Sequence, residues 1–130
     1  MTWQPPVFDR TAADVAAGAD KCYFSLEMLN RIEGNTAYLA ELFGVPVACH
    51  TWSRADWVTP TRMQALLDGV QAVRDAYYVL PGTPDVPALP CTDYEAVNAV
   101  EENQYSLHEL HRRNANPVCR LYAGIRIGVI

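Results

Sequence analysis

The chain has 130 residues, of which 50% are apolar and 19% charged, a composition typical of one globular domain and not of a disordered chain. Its net charge of −5 argues against a nucleic-acid partner, because proteins that bind phosphates carry a basic stripe. No run approaches the roughly 18 apolar residues of a membrane span, and the N-terminus does not resemble a secretion signal. We therefore expect synthesis in a cytoplasm and no insertion into a membrane.

The N-terminal residues 1–10 are predicted to form an extended arm, because their Pro-Pro pair is incompatible with a helix interior. Thr11 followed by Asp14 resembles a capping box. A short helix is therefore predicted to begin at Thr11 and to end near Lys21.

The first long helix is predicted between Ser25, a good N-cap, and Gly44, a good C-terminal stop. Apolar side chains recur in it at the spacings of an amphipathic helix. They are Leu26, Leu29, Ile32, Leu39, Leu42 and Phe43. Gly34 lies in the middle of this helix and costs about 1 kcal/mol relative to alanine. We expect close helix packing to explain this glycine.

A link that carries two tryptophans precedes the second long helix. Trp52 and Trp57 are expected to plug the ends of the helix pair. Thr59 and Pro60 form a clear helix start, with threonine as the N-cap and proline in the first turn. An apolar stripe follows, and Pro81 is predicted to end the helix. The stripe consists of Met63, Leu66, Leu67, Val70, Val73 and Tyr77.

Residues 81–91 contain four prolines and are predicted to lie as an extended strap across the bundle, with Val86 and Leu89 as apolar pegs. A capping box at residues 92–95 then starts the third long helix, which is expected to end near Asn114. These elements predict a mainly α fold, in which three long helices and a short N-terminal helix form a small bundle.

The predicted domain covers residues 1–130, with the helical bundle at 11–114 and a tail at 117–130. Apolar and other residues alternate strictly in the tail, which predicts a short C-terminal β-strand or hairpin. Because a lone ribbon is unstable in water, the tail either packs on the helices or pairs with a strand of its own or a neighbouring chain. The interface candidates on it are Arg120, Tyr122, Ile125, Arg126 and Ile127.

The chain contains an internal repeat, because residues 29–44 and 97–112 share one pattern at a constant offset of 98 − 30 = 68 residues. The pattern is apolar-Asn-x-[Ile/Val]-Glu-x-Asn-x-x-x-Leu-x-Glu-Leu. Asparagine is a poor helix former, so its recurrence argues for two units of one design. If the copies pack about a pseudo-twofold axis, uncharged amides at the helix seam would fix the register. The seam candidates are Asn30, Glu33, Asn98 and Glu101.

Motifs for catalysis, cofactors and metals are missing from the sequence, and we predict no enzyme activity. The four cysteines form no CxxC pair. His108 and His111 lie at i and i+3, whereas the HExxH metal motif requires i and i+4. Cys49 beside His50 is a weak candidate for a nucleophile with a base. A small metal-binding protein that uses these histidines and the cysteines is the alternative.

Four stretches resemble small phage and prophage virion structural proteins of Firmicutes, which are associated with tails, baseplates or fibres. They are "FDRTAADV", "YFSLEMLNRIEGNTAYLAELFG", "VTPTRMQALLDGVQAVRDAYYVLPGTP" and "TDYEAVNAVEENQYSLHELH". Those proteins carry a DRTxxDV opening and an LNRIExNxxYL helix, and the order of the stretches agrees. The resemblance covers residues 8 to about 111.

This resemblance implies a non-enzymatic structural protein that acts through subunit–subunit contacts, as a homo-oligomer and with other virion proteins. It also implies a place in the virion after synthesis in the bacterial host cytoplasm. It supplies no binding residues, no cofactor and no metal ligands. A phage-encoded cytoplasmic adaptor is the other alternative to a virion protein.

Overall fold

The computed structural model describes residues 3–22, 24–89 and 93–114. Within them the fold is mainly α, and three long helices with a short N-terminal helix confirm the predicted bundle. The predicted strand or hairpin at 117–130 lies outside the described residues. The elements are α1 (Ala12–Ala17), a 3-10 turn (Asp20–Cys22), α2 (Leu26–Phe43), α3 (Pro60–Asp75) and α4 (Tyr94–Asn114).

Local signals place most helix ends where the sequence predicts them. The Thr11 capping box is complete, and the Ser25 and Thr59 hydroxyls accept the backbone N–H groups of Met28 and Arg62 in the first turns of α2 and α3. Gly44 ends α2 with a left-handed φ of 71°. At α4 the Asp93 carboxylate accepts the Ala96 N–H at 2.7 Å, so Asp93 caps this helix.

Two helices end earlier than predicted. α1 ends at Ala17 because Gly18 adopts the left-handed conformation, and the chain does not continue as α-helix to Lys21. α3 ends at Asp75 and not at Pro81. Beyond that end the Tyr77 ring stacks on Phe43 with centroids 4.6 Å apart, a tertiary contact that prevails over the helical pattern.

The three long helices run in the same direction. Met28, Met63 and Val97, each near the start of its helix, belong to one apolar cluster. Residues near the ends of the helices form a second cluster, in which Val73 and Leu107 lie with α2 side chains. Each connection must therefore return along the whole length of the bundle, which is about 24 Å for the 16 residues of α3.

Two extended segments, the link and the strap, make these returns, and an N-terminal extended arm precedes α1; each of the three lies in one groove between two helices. The arm (3–10) lies between α2 and α4, because Trp3 stacks on His108 of α4 and its ring centroid lies 5.6 Å from that of Tyr38 of α2. The link (45–58) lies between α2 and α3, where Val47 approaches Gly69.

The strap (79–89) lies between α3 and α4, because the Pro84 carbonyl accepts hydrogen bonds from Arg74 of α3 and Asn103 of α4. Val86 and Leu89 are partly buried against the first apolar cluster, as predicted for the two pegs. The bundle thus consists of three parallel helices and one antiparallel extended segment in each groove.

The two tryptophans of the link have opposite environments. Trp52 is 3% exposed and packs into the first apolar cluster, in agreement with the predicted plug. Trp57 is 82% exposed, so the prediction that it plugs the bundle is wrong. None of the helices in the described part of the chain is long and apolar enough to cross a membrane.

Close packing occurs at a different glycine from the one predicted. A Cβ at Gly34 would have no neighbour within 4 Å, so tight packing does not explain this residue. A Cβ at Gly69 would lie 3.2 Å from Val47 Cγ1 and 3.3 Å from Thr36 Cγ2. Gly69 is therefore the position where α3 packs closely against both the link and α2.

This difference predicts unequal effects on stability for two alanine substitutions. Gly34→Ala is expected to raise the free energy of unfolding by about 0.5–1 kcal/mol, because alanine is the better helix former and has room. Gly69→Ala has the same gain in helix propensity, but its methyl group forces Val47 and Thr36 apart. We expect Gly69→Ala to be less stable than Gly34→Ala in urea unfolding, and equal stabilisation would contradict the packing at Gly69.

Candidate functional site

The asparagines of the repeat bind the backbone of extended segments. Asn30 Nδ2 donates to the Trp52 carbonyl at 3.0 Å, and the Trp52 N–H donates to Asn30 Oδ1 at 2.7 Å. Its repeat equivalent, Asn98, donates to the Arg10 carbonyl at 2.9 Å and accepts the Arg10 N–H at 3.3 Å. We call this two-bond arrangement a clasp, because one amide satisfies both backbone groups of one residue.

The second pair of repeat asparagines shows a full and a half clasp. Asn35 accepts the Gln4 N–H at 3.0 Å and donates to the Gln4 carbonyl at 2.8 Å. Asn103 donates to the Pro84 carbonyl at 2.9 Å, but proline has no N–H to return. Asn103 Oδ1 is accordingly buried without a hydrogen-bond partner among the described residues.

The three clasps and the half clasp together serve all three grooves. Asn30 holds the link, Asn35 and Asn98 hold the arm, and Asn103 holds the strap. The seam candidates Asn30 and Asn98 do not bond to each other across a helix junction. They lie at the seams between helices and extended segments, which a repeat pattern alone does not distinguish from a helix seam.

A different pair of residues joins the two copies of the repeat. Gln104 Nε2 donates to Thr36 Oγ1 at 2.9 Å and to the Ile32 carbonyl at 2.8 Å. Thr36 and Gln104 are 68 residues apart, so they hold the same position in the two copies. This contact marks the pseudo-twofold relation between the parallel helices α2 and α4. The equal offset is the sequence signal that would have identified the pair.

The glutamates of the repeat are both buried, and neither is a surface charge. Glu101 is fully buried and accepts from two arginines. Arg10 Nη2 donates to Glu101 Oε2 at 2.8 Å, while Arg31 donates from Nε to Oε1 at 2.6 Å and from Nη2 to Oε2 at 3.0 Å. One carboxylate therefore joins the arm, α2 and α4.

Arg10 is the buried centre of the arm. Its guanidinium also donates to the Lys21 and Val7 carbonyls and to Asn98 Oδ1, the last at 3.1 Å. Such a fork of donors satisfies a buried arginine when carboxylate and carbonyl oxygens surround it. Sequence analysis missed this role, although Arg10 is the arginine of the "DRT" stretch.

Glu33 holds the link, and among the described residues it forms no salt bridge. Its Oε2 accepts the His50 backbone N–H at 2.8 Å. Burial raises the pKa of Glu33, and this hydrogen bond offsets only part of the effect. The nearby indole N–H of Trp52 also lowers the pKa of Glu33. This N–H is buried and makes no hydrogen bond of standard geometry within the described residues.

One substitution within the repeat explains why the two glutamates differ. Arg31 of α2 reaches across to Glu101 of α4. The equivalent position in α4, 31 + 68 = 99, is Ala99, which cannot return an ion pair to Glu33. The two copies therefore share their segment-binding asparagines but differ in the cations that face their glutamates.

The three histidines have different neighbours: two contact aromatic rings and the third contacts a carboxylate. His108 stacks on Trp3 with centroids 4.0 Å apart, and burial lowers the pKa of His108. His111 contacts Phe43, and His50 Nε2 lies 3.0 Å from Asp56 Oδ2. Among the residues that the structure describes, no three His, Cys, Asp or Glu side chains form a metal-sized group.

The Cys49 thiol is a poor nucleophile. Although Cys49 is exposed, desolvation by neighbouring atoms and the nearby Glu33 carboxylate raise the pKa of its thiol to about 11, so the thiol stays protonated at neutral pH. The side chain of His50, which follows Cys49 in the sequence, forms a hydrogen bond with Asp56. The predicted interface residues lie outside the described part of the chain. They are Arg120, Tyr122, Ile125, Arg126 and Ile127.

The same substitution at the two repeat glutamates is predicted to have different effects. Glu101→Gln leaves two arginine side chains without their carboxylate, and breaking a buried ion pair costs about 3–5 kcal/mol. Glu33→Gln keeps an acceptor for the His50 N–H and removes a buried, unpaired charge, so it is expected to be neutral or stabilising. Urea unfolding at neutral pH tests both variants, and similar losses in both would contradict the assigned charges.

The pH dependence of Glu33→Gln follows from the raised pKa of Glu33. Because the folded state binds this proton more tightly than the unfolded state, ionised Glu33 lowers stability at pH values above its folded pKa. The penalty disappears as the pH falls below the unfolded pKa. The stability advantage of Glu33→Gln over the parent chain should therefore shrink on acidification. An advantage that grew in acid would reverse the sign of the assigned shift.

Most residues that the two copies of the repeat share have a structural role. The asparagines common to both copies bind extended segments. Most of the shared apolar residues fill the two clusters, whereas Leu42 is exposed and Glu109 pairs with arginines of its own helix. No protein-family model matches the chain, and comparison with curated proteins and with solved structures found no match.

Proposed function

We propose that the chain is a phage virion structural protein, a non-enzymatic component of a tail, baseplate or fibre. The observation that carries the proposal is the architectural use of the motif LNRIExNxxYL. Each of its specified residues supports the bundle, which is what a motif shared among scaffold proteins would do.

The polar residues of the motif each hold a neighbouring element. Asn30 and Glu33 hold the link, Asn35 holds the arm, and Arg31 pairs with Glu101 of α4. Tyr38 lies against Trp3 of the arm, with centroids 5.6 Å apart.

The apolar residues of the motif, Leu29, Ile32 and Leu39, are buried in the core. Arg10 and Thr11 of the "DRT" opening are also used, one in the buried ion pair and the other as a helix cap. The residues that carry the resemblance are thus those that build the parallel bundle.

A rigid bundle of this kind would act through its surface and its ends. Trp57 at one end and Tyr78 at the other, 82% and 75% exposed, are large aromatic side chains of the type enriched at protein interfaces. Asp56 fixes the backbone next to Trp57, because it accepts from the Ser53 N–H at 2.8 Å and from Arg62 at 2.9 Å. The expected partners are further copies of the chain and other virion proteins.

Mass spectrometry of purified particles of the phage or prophage that encodes the chain tests the proposal. We expect the chain in the particle fraction after gradient purification, in fixed ratio to other virion proteins. An abundant host cytoplasmic protein serves as the contamination control. Recovery of the chain only in the soluble lysate, and not in particles, would contradict the proposal and favour the cytoplasmic adaptor.

A further inference from the structure

One buried acceptor in the bundle lacks the hydrogen bond that its repeat equivalents receive. Asn103 is fully buried, and its Oδ1 atom accepts no hydrogen bond from the part of the chain that the structure describes. Its Nδ2 group donates to the Pro84 carbonyl at 2.9 Å and to the Ala99 carbonyl of its own helix at 2.8 Å. Exchanging the amide oxygen and nitrogen would set Oδ1 against two carbonyl oxygens, so a flip does not satisfy the acceptor.

The other three repeat asparagines show which partner is missing. Asn30, Asn35 and Asn98 each accept the backbone N–H of the residue whose carbonyl they bind. In an extended chain the N–H and C=O of one residue point to the same side, so the N–H of residue 84 is the group that would bind Asn103 Oδ1. Proline has no N–H to donate. The groove between α3 and α4 thus offers a complete clasp that the strap cannot use.

The groove also contains a cation that the strap engages weakly. The Arg74 side chain is only 15% exposed, and its Nη2 atom lies 3.3 Å from Asp85 Oδ1. The Asp85 side chain is 98% exposed, so water screens the pair and its contribution to stability is small. Charge complementarity at this point favours an acidic side chain directly after the clasped residue.

The apolar contacts of the strap set its register in the groove. Val86 and Leu89 are partly buried against the first apolar cluster, two and five residues after Pro84. Another occupant of the groove therefore needs apolar side chains at the same two spacings. Together with the clasp and Arg74, these contacts define the chemistry of an extended segment that would fill positions 84–89.

We propose that the groove between α3 and α4 is a peptide-binding site, which the strap fills until an extended segment of a partner protein displaces it. That segment has a residue other than proline at the clasped position, an acidic residue directly after it, and apolar residues two and five positions after it. Its advantage over the strap is the bond from its N–H to Asn103 Oδ1. The inference concerns this groove alone and holds whether or not the chain belongs to a virion.

The size of this advantage sets the concentration at which displacement occurs. A hydrogen bond to a buried acceptor that is otherwise unsatisfied changes a binding constant roughly 5–150-fold. The strap competes as a tethered segment, at an effective concentration on the order of 1 mM. A free peptide that completes the clasp should therefore displace half of the strap at roughly 10–200 μM.

Two peptides and three full-length chains test the proposal by isothermal titration calorimetry. One peptide copies residues 81–89 with alanine at the position of Pro84, and the other keeps the proline. The parent chain should bind the alanine peptide roughly 5–150-fold more tightly than the proline peptide. In the chain variant Pro84→Ala the strap gains the same N–H, so this variant should bind the alanine peptide more weakly than the parent chain by a similar factor.

Pro87→Ala is the matched control, because it also replaces a strap proline but leaves position 84 unchanged. This variant should bind the alanine peptide at least as tightly as the parent chain, since a more flexible strap competes less well. Equal binding of the two peptides by the parent chain would overturn the proposal, because apolar contacts alone would then explain the binding. Failure of the parent chain to bind the alanine peptide, or equal binding by Pro84→Ala and Pro87→Ala, would also overturn it.

Discussion

The rest of the structure depends on the ion pairs between the buried carboxylate of Glu101 and two arginines. A carboxylate without exposure to water is costly unless cations and hydrogen-bond donors surround it. The two cations come from different elements, Arg10 from the arm and Arg31 from α2. The charge on α4 is therefore compatible with the fold only when the arm and α2 are both in place. This requirement couples the N-terminus of the chain to its last helix.

Parallel helices align their dipoles side by side, an arrangement that needs compensation from other sources. Charged side chains supply part of it, with Glu27 and Glu95 in first turns and Arg74 in a last turn. The extended segments supply more, because each fills a groove with apolar side chains and binds asparagine amides. The bundle is thus stabilised as three helix–segment–helix layers and not by helix contacts alone.

Sequence reasoning succeeds here where the information is local. Caps at Thr11, Ser25, Thr59 and Gly44 are short patterns with one physical meaning, and the structure has all four. The common direction of the helices was not predicted, although residues 44–59 and 76–93 are long for the short turns between antiparallel helices. Connection length was the signal for parallel packing.

The environments of individual residues could not be predicted, because they depend on distant partners. Gly34 and Gly69 look alike in sequence, and only the approach of Val47 and Thr36 distinguishes them. The repeat identified Asn30 and Asn98 as polar helix residues with a shared purpose. Their partners lie in irregular segments that carry no pattern, so the sequence alone gave no basis for naming them.

The half clasp at Pro84 makes the three extended segments unequal. The arm has two complete clasps and a buried ion pair, and the link has one clasp and the Glu33 acceptor. The hydrogen bonds between the strap and the helices, in the part of the chain described, converge on the single carbonyl of Pro84. Local unfolding should therefore follow a hierarchy in which the strap detaches first and uncovers the side of the bundle between α3 and α4, while the opposite side stays closed.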